Sequence, residues 1–174
     1  FHVKSLEQIW AYITTGTASS CAEETATGNT IIQLPAFANY QVPANTAFEL
    51  YAGDVADPDG GVITYDWEQY DLGAASAPEG DNGDRPIFRS YSPTREPRRS
   101  FPSLQYVLSP SGIPRVTRDI EGTSYLVGEF MPTTGRVLNF RITLRDNQGG
   151  ISTESIAVGV WTAMGPFRVT SPNT

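Results

Sequence analysis

Between Leu138 and Leu144 every second residue is large and apolar. Leu138, Phe140, Ile142 and Leu144 alternate with Asn139, Arg141, Thr143 and Arg145. Successive side chains of an extended strand point to opposite faces, so this pattern dictates a strand with one face on a core and the other toward water. The same period recurs in Phe48 and Leu50, in Ile63, Tyr65 and Trp67 against Thr64, Asp66 and Glu68, and in Ile156, Val158 and Val160. No helical pattern of comparable strength lies between these sets. Amphipathic strands with turn-rich connections predict a mainly β fold, an antiparallel β-sandwich with Trp67 in its core.

Helical spacing occurs before the first strand set. Leu6, Ile9, Trp10 and Ile13 share a face at i, i+3, i+4 and i+7, which predicts a short helix over residues 5–14. Ser5 with Gln8 is a candidate capping box, and Gly16 is the expected stop. A helix this short is marginal alone, so its apolar face needs a surface to pack on. Residues 15–30 are small and polar and read as linker.

The stretch from about 70 to 135 breaks the alternation. It holds most of the prolines and the acidic run Glu79-Gly80-Asp81-Asn82-Gly83-Asp84. A structureless loop of that length does not suit a compact domain, so it is expected to be an insertion packed on the sandwich. Within it Ile87–Tyr91 is a candidate strand, and Phe101–Leu108 holds a candidate helical turn. Arg85, Arg89, Arg95, Arg98 and Arg99 cluster there and read as a solvated loop.

A length of 174 residues suits one domain. The formal net charge of −7 argues against a nucleic-acid partner, because phosphate binding needs a basic face. Cys21 is the only cysteine, so no disulfide closes within the chain. No apolar run is long enough to span a membrane as a helix, and no membrane partner is expected. The chain opens on Phe1 rather than Met, so it is expected to be a piece of something longer.

Most catalytic chemistries lack their residues. His2 is the only histidine, so multi-histidine zinc sites are excluded, and a Ser-His-Asp triad would have to use this residue, which is expected to lie far from any folded site. Cys21 has no second histidine to activate it. The best candidate site is the turn Asp57-Pro58-Asp59-Gly60. Carboxylates at this spacing are hard oxygen ligands of the kind Ca²⁺ takes. A second loop must complete such a site, and Asp146-Asn147-Gln148-Gly149-Gly150 is the natural candidate, with Asp54 a further one. From spacing alone two ordinary turns are the better account, since Asp, Asn and Gly favour turns without any ion.

Several of these pieces together resemble a known family. Tyr40-Gln41-Val42-Pro43-Ala44-Asn45-Thr46, Asp57-Pro58-Asp59-Gly60, Tyr65-Asp66-Trp67 and Phe140-Arg141-Ile142-Thr143-Leu144-Arg145-Asp146-Asn147 resemble PKD and related immunoglobulin-like modules of secreted bacterial proteins. Trp67–Gly73, Pro86–Pro93 and Asn139-Phe140-Arg141 followed by Arg145-Asp146-Asn147 look like the module that follows the catalytic domain in bacterial secreted reprolysin-like zinc metallopeptidases. Phe1–Ile9 resembles the last helix of such a catalytic domain.

The resemblance implies an organisation: residues 1–22 as remnant of that domain, 23–34 as linker, 35–161 as the module and 162–174 as tail. It implies secretion, a partner for Cys21 upstream, and a structural Ca²⁺ held by Asp57, Asp59 and Asp146. The zinc motif of the family is absent, so no catalytic residue carries over. The implied role is a non-catalytic accessory module that supports or positions the upstream catalytic domain. The rival role is a module binding insoluble protein or polysaccharide through residues 70–135.

Overall fold

A computed structural model describes residues 2–21, 23, 25–74, 80–108 and 116–168, with the backbone alone for 116–118, 120 and 125–127. Phe1, Glu79, parts of the 70–135 stretch and the end of the 162–174 tail lie outside the described residues. The protein is mainly β. Its elements are α1 (Val3–Thr14), β1 (Tyr40–Pro43), β2 (Phe48–Tyr51), β3 (Thr64–Gln69), β4 (Arg98–Phe101), α2 (Leu104–Val107), β5 (Val116–Ile120), β6 (Thr123–Val127), β7 (Val137–Arg145) and β8 (Ile151–Trp161).

Among the described residues, a four-stranded sheet has the order β1-β8-β7-β3, with β2-β4 and β5-β6 as separate two-stranded pairs. β3 with β7, β7 with β8, and β2 with β4 are antiparallel. The antiparallel expectation fails at β1, which runs parallel to β8, so the sheet is mixed. β1 has only four residues, carries Pro43 at its end and is half exposed, so alternation could not reveal it.

The core follows the alternation. Leu138, Phe140, Ile142 and Leu144 of β7 are fully buried, with Ile156, Val158 and Val160 beside them on β8. Phe101 of β4 meets Phe140 at a ring-centroid distance of 4.6 Å, and Phe88 meets Phe101 at 5.1 Å. Phe48 of β2 stacks on Phe101 at 5.6 Å. The β2–β4 pair therefore shares one aromatic core with the four-stranded sheet. Trp67 is buried in that core and tilted against Phe37.

The 70–135 stretch is not a simple addition to this core. It supplies β4, Ile87, Phe88 and Phe101. Ile87–Tyr91 is not a strand. Its first two N–H groups instead donate to the side-chain oxygen of Gln69, at 2.7 Å from Ile87 and 3.1 Å from Phe88. The arginines there are mostly not solvated. Arg85 and Arg89 donate to the carbonyls of Gly80 and Gly128, and Arg99 to those of Trp67 and Arg89. Irregular backbone has no ladder to satisfy its carbonyls, and the five-donor guanidinium does so instead. Arg95 and Arg98 are the exposed members of the group.

α1 begins earlier than Ser5. His2 is its cap, and its Nδ1 accepts from Lys4 N–H at 3.2 Å, which places Ser5 inside the first turn. Gly16 follows the last turn, where a Cβ would lie 2.7 Å from the Tyr12 carbonyl oxygen. The helix docks through one flank. His2 Nε2 donates to the Gln69 carbonyl at 2.9 Å, Lys4 donates to Tyr70 at 2.8 Å, and Glu7 lies 3.7 Å from Arg141. His2 is thus seated on the end of β3, against the expectation that it lies far from the folded body. Ile9, Trp10, Tyr12 and Ile13 are exposed.

Candidate functional site

Two turns and one segment of the linker converge at the end of the four-stranded sheet where β7 hands over to β8. The first turn is 57–61. Asp57 Oδ1 accepts from Asp59 N–H at 2.8 Å, and Gly60 N–H donates to the Asp57 carbonyl at 3.0 Å, with Gly60 at φ 79°. Asx bonding and a left-handed glycine are what the local sequence favours. The second turn is 146–150. Asp146 Oδ1 accepts from the N–H groups of Gln148 (2.7 Å) and Gly150 (2.8 Å). Asn147 links the turns by donating to the Val62 carbonyl at 2.6 Å.

The linker straps across both. Asn29 Nδ2 donates to Asp146 Oδ2 at 2.6 Å, and Thr30 N–H donates to Asp59 Oδ2 at 2.6 Å. Ile32 is buried in the core, and its carbonyl accepts from Ser152. Residues 29–32 are therefore anchored rather than free spacer. The hydrogen bond from Asn29, then those from the turn backbone, hold the Asp146 carboxyl below the usual carboxylate range.

The sequence candidates are placed as follows. Asp57 and Asp146 lie in the same cluster, and Asp59 borders it through Thr30. Asp54 stands apart, exposed and accepting from Tyr51. Among the described residues no three His, Cys, Asp or Glu side chains group as a metal centre would. What does converge is a mixed set of polar atoms. Asp57 Oδ2 and Asn29 Oδ1 are buried acceptors with no hydrogen-bond partner. A Cβ added at Gly61 would collide with Asp57 Oδ2 and would lie 2.7 Å from the Gln148 side-chain nitrogen and 3.1 Å from the Asp146 carbonyl oxygen. A side chain at 61 would thus displace Asp57 Oδ2 from this cluster. The donor set fits a hard cation, which takes carboxylate, carbonyl and amide oxygens and would remove the cost of a buried unpartnered carboxylate. Asn29 was not legible as a member because nothing in a small polar linker marks one asparagine above another.

A second concavity lies along β3. It is a half-open cleft of about 260 Å³ whose walls include Tyr91, Thr94, Glu96, Arg98, Arg99 and Leu104. Its floor is the open edge of β3. Thr94 pairs with Tyr65 in both directions, and Arg99 occupies the Trp67 carbonyl. The Thr94 backbone and the Arg99 side chain thereby cover an edge that would otherwise recruit a foreign strand.

The fold and site define a mainly β module with an N-terminal helix docked by one flank and a polar cluster tying two turns to the preceding linker. No protein-family model and no curated protein matches the chain. Among solved structures, the chain is similar to a nucleoside hydrolase-related hypothetical protein from Saccharophagus degradans that is associated with carbohydrate metabolism. The two share 16% identity at a TM-score of 0.43, over 83% of this chain and 29% of that one. The chain thus spans less than a third of that protein's length. Among the described residues no helix is long and apolar enough to cross a membrane.

Proposed function

We propose that this chain is a non-catalytic accessory module of the immunoglobulin/PKD-like sandwich type, from a secreted bacterial zinc metalloendopeptidase. In this reading it follows the catalytic domain and holds it in place. The observation that carries the reading is the two-sided character of α1. One flank is pinned to the β body through His2, Lys4 and Glu7. The other turns Ile9, Trp10, Tyr12 and Ile13 to solvent, with Trp10 64% exposed. A contiguous apolar stripe of this kind marks a surface that is covered in the working protein. A helix shared between an upstream domain and the β body makes a stiff joint. The facing of β2–β4 and the larger sheet across the phenylalanine core favours the sandwich description. The polar cluster around Asp57, Asn29 and the Asp146 turn would hold the structural Ca²⁺, which would fasten the linker to both turns.

Amide hydrogen exchange of α1 tests the joint, comparing this chain with the parent protein that includes the upstream domain. Strong added protection at Ile9–Ile13 in the parent is expected. Equal exchange in both would remove the basis of the reading.

The rival reading, a module that binds insoluble protein or polysaccharide, draws on the cleft beside β3 with its exposed Tyr91 and Leu104. Retention of the chain on collagen, chitin or cellulose, lost on Tyr91→Ala, would favour it.

A further inference from the structure

β8 is flanked by β1 and β7, yet it carries Gly159 in its interior. A mid-strand glycine costs stability and often marks a place where another group comes close to the backbone. Among the described residues nothing demands it here. A Cβ at 159 would meet Gln41 Cγ at 3.7 Å, Trp161 Nε1 at 3.8 Å and the Tyr40 carbonyl oxygen at 3.8 Å, all ordinary contact distances. Its backbone also lies outside the left-handed region that favours glycine.

The glycine is the floor of a shallow seat. Val158 and Val160 are buried in the core, so Gly159 and Trp161 lie on the opposite face of the sheet. β1 places Gln41 beside Gly159, and β7 places Val137 beside Gly159 and Asn139 beside Ala157. Gln41 and Asn139 are exposed, and Trp161 is 46% exposed. Two strand residues span about 6.6 Å, so the indole leans back over Gly159 to bring its Nε1 as near as it does. Neither the Trp161 indole N–H nor the Gln41 amide has a partner among the described residues. Asn139 Nδ2 is fixed by Asp71 Oδ1 at 2.6 Å, which leaves Asn139 Oδ1 as an oriented acceptor. No member of this face is charged, although the chain carries a net charge of −7. A nucleic acid or a charged peptide finds no counter-charge there. The complement of a neutral indole rimmed by amides is a neutral body, apolar on its faces and hydroxylated at its edge. A pyranose ring with equatorial substituents is such a body.

We propose that Trp161, Gly159, Gln41 and Asn139 form a binding site for a sugar ring of a neutral glycan built from equatorially substituted pyranoses. The ring stacks a C–H face on the indole where Gly159 leaves the backbone bare. Its hydroxyls donate to Asn139 Oδ1 and exchange hydrogen bonds with the Gln41 amide. The site lies outside residues 70–135. It depends neither on the accessory role nor on the cleft beside β3.

Titration of the whole chain with cellohexaose and with chitohexaose, followed by indole N–H NMR and calorimetry, tests the proposal. The Trp161 signal should shift with at least one glycan, while that of Trp10, 64% exposed on α1, should not. Trp161→Ala should weaken binding at least about tenfold. Gly159→Ala should melt at or above wild type and still bind more weakly. Tyr91→Ala should bind as wild type does. The proposal is overturned if neither glycan moves the Trp161 signal, or if Trp10 and Trp161 shift alike, which is unspecific contact with exposed indoles. Binding lost on Tyr91→Ala and kept on Trp161→Ala would place the glycan in the cleft beside β3 instead. Retention on gelatin through Trp161, with both glycans ignored, would make the face a protein interface. Should Trp161→Ala fail to fold, the wild-type indole shifts and Gly159→Ala decide.

Discussion

Arg99 donates from Nη2 to Glu129 Oε1 at 2.8 Å, and Glu129 is fully buried. The pair joins β4 to the segment after β6. The same Oε1 accepts Arg89 N–H at 3.0 Å, and Oε2 accepts Ser103 N–H at 2.6 Å. Glu129 is therefore the hub on which the irregular middle of the chain is hung. Removing one partner leaves the other charge buried and uncompensated, a larger loss than the net value of the pair. Glu129→Ala should destabilise the protein by about 3–5 kcal/mol in urea unfolding. Glu49→Ala removes the exposed ion pair with Arg98, which solvent screens, and should cost far less. Comparable losses for the two variants would refute the assignment of Glu129 as the hub.

Asp81 performs a similar task by a different route. Its carboxylate accepts from Gly83 N–H (2.9 Å), Thr133 N–H (2.9 Å), Thr134 N–H (3.1 Å) and Arg136 Nη1 (3.1 Å). Burial acts to raise its pKa, but the hydrogen bonds from Gly83, Thr134 and Thr133 together outweigh burial and lower it. A folded value below the unfolded one gives stability that is present above the unfolded value and lost as pH falls through the folded one. Acid melting of wild type should therefore have a limb below about pH 4 that Asp81→Asn flattens. Asp81→Asn should also lower stability at neutral pH. An unchanged acid limb in the variant would show that Asp81 is not its source.

These two hubs mark where sequence reading stopped. β7 and β8 were legible because Leu138–Leu144 and Ile156–Val160 alternate cleanly and one face of each meets the core. β3 was legible as a strand, but its second face was misjudged. Alternation places Asp66 and Glu68 toward solvent, whereas both are buried. The middle of the chain was read as an insertion because Gln69, Arg99 and Glu129 replace a ladder with side-chain bonds, which leave no periodic trace. The DPDG turn was legible from its residues, whereas the partnership of Asn29 with Asp146 spans 117 positions and has no local signal.

Trp10 offers a test of the helix that separates folding from docking. Its side chain is exposed in this chain, so Trp10→Ala should shift stability by no more than about 0.5 kcal/mol. His2→Ala removes both the cap and the bond to Gln69, and a lost cap alone costs about 1 kcal/mol, so it should fray α1. If α1 is shared with an upstream domain as proposed, the order should reverse in that longer protein, with Trp10→Ala increasing protease cleavage between the domains more than His2→Ala does. A large loss of stability for Trp10→Ala in the isolated chain would show that the stripe packs on the β body after all.

The polar cluster at the paired turns yields the last prediction. Asp57 Oδ2 and Asn29 Oδ1 are the buried acceptors left without donors, while Asp146 is held by Asn29 and its own turn. A Ca²⁺ among Asp57, Asn29 and the Asp146 carbonyl would satisfy the orphaned oxygens and bind only the folded chain. Melting temperature should then rise with added Ca²⁺, following roughly RT ln(1 + [L]/Kd) in free energy. Asp57→Asn should remove most of that increment while sparing the Asx turn, because an asparagine oxygen can still accept the Asp59 N–H. Gly61→Ala should also lose the increment, since its Cβ fills the space between Asp57 and the Asp146 carbonyl. Asp59→Ala should lose less, because its carboxylate is directed to Thr30. If chelation leaves wild-type melting unchanged, the cluster is held by its hydrogen bonds alone and the calcium proposal is withdrawn. If Asp59→Ala abolishes the increment while Asp57→Asn keeps it, the ligands have been assigned to the wrong aspartate.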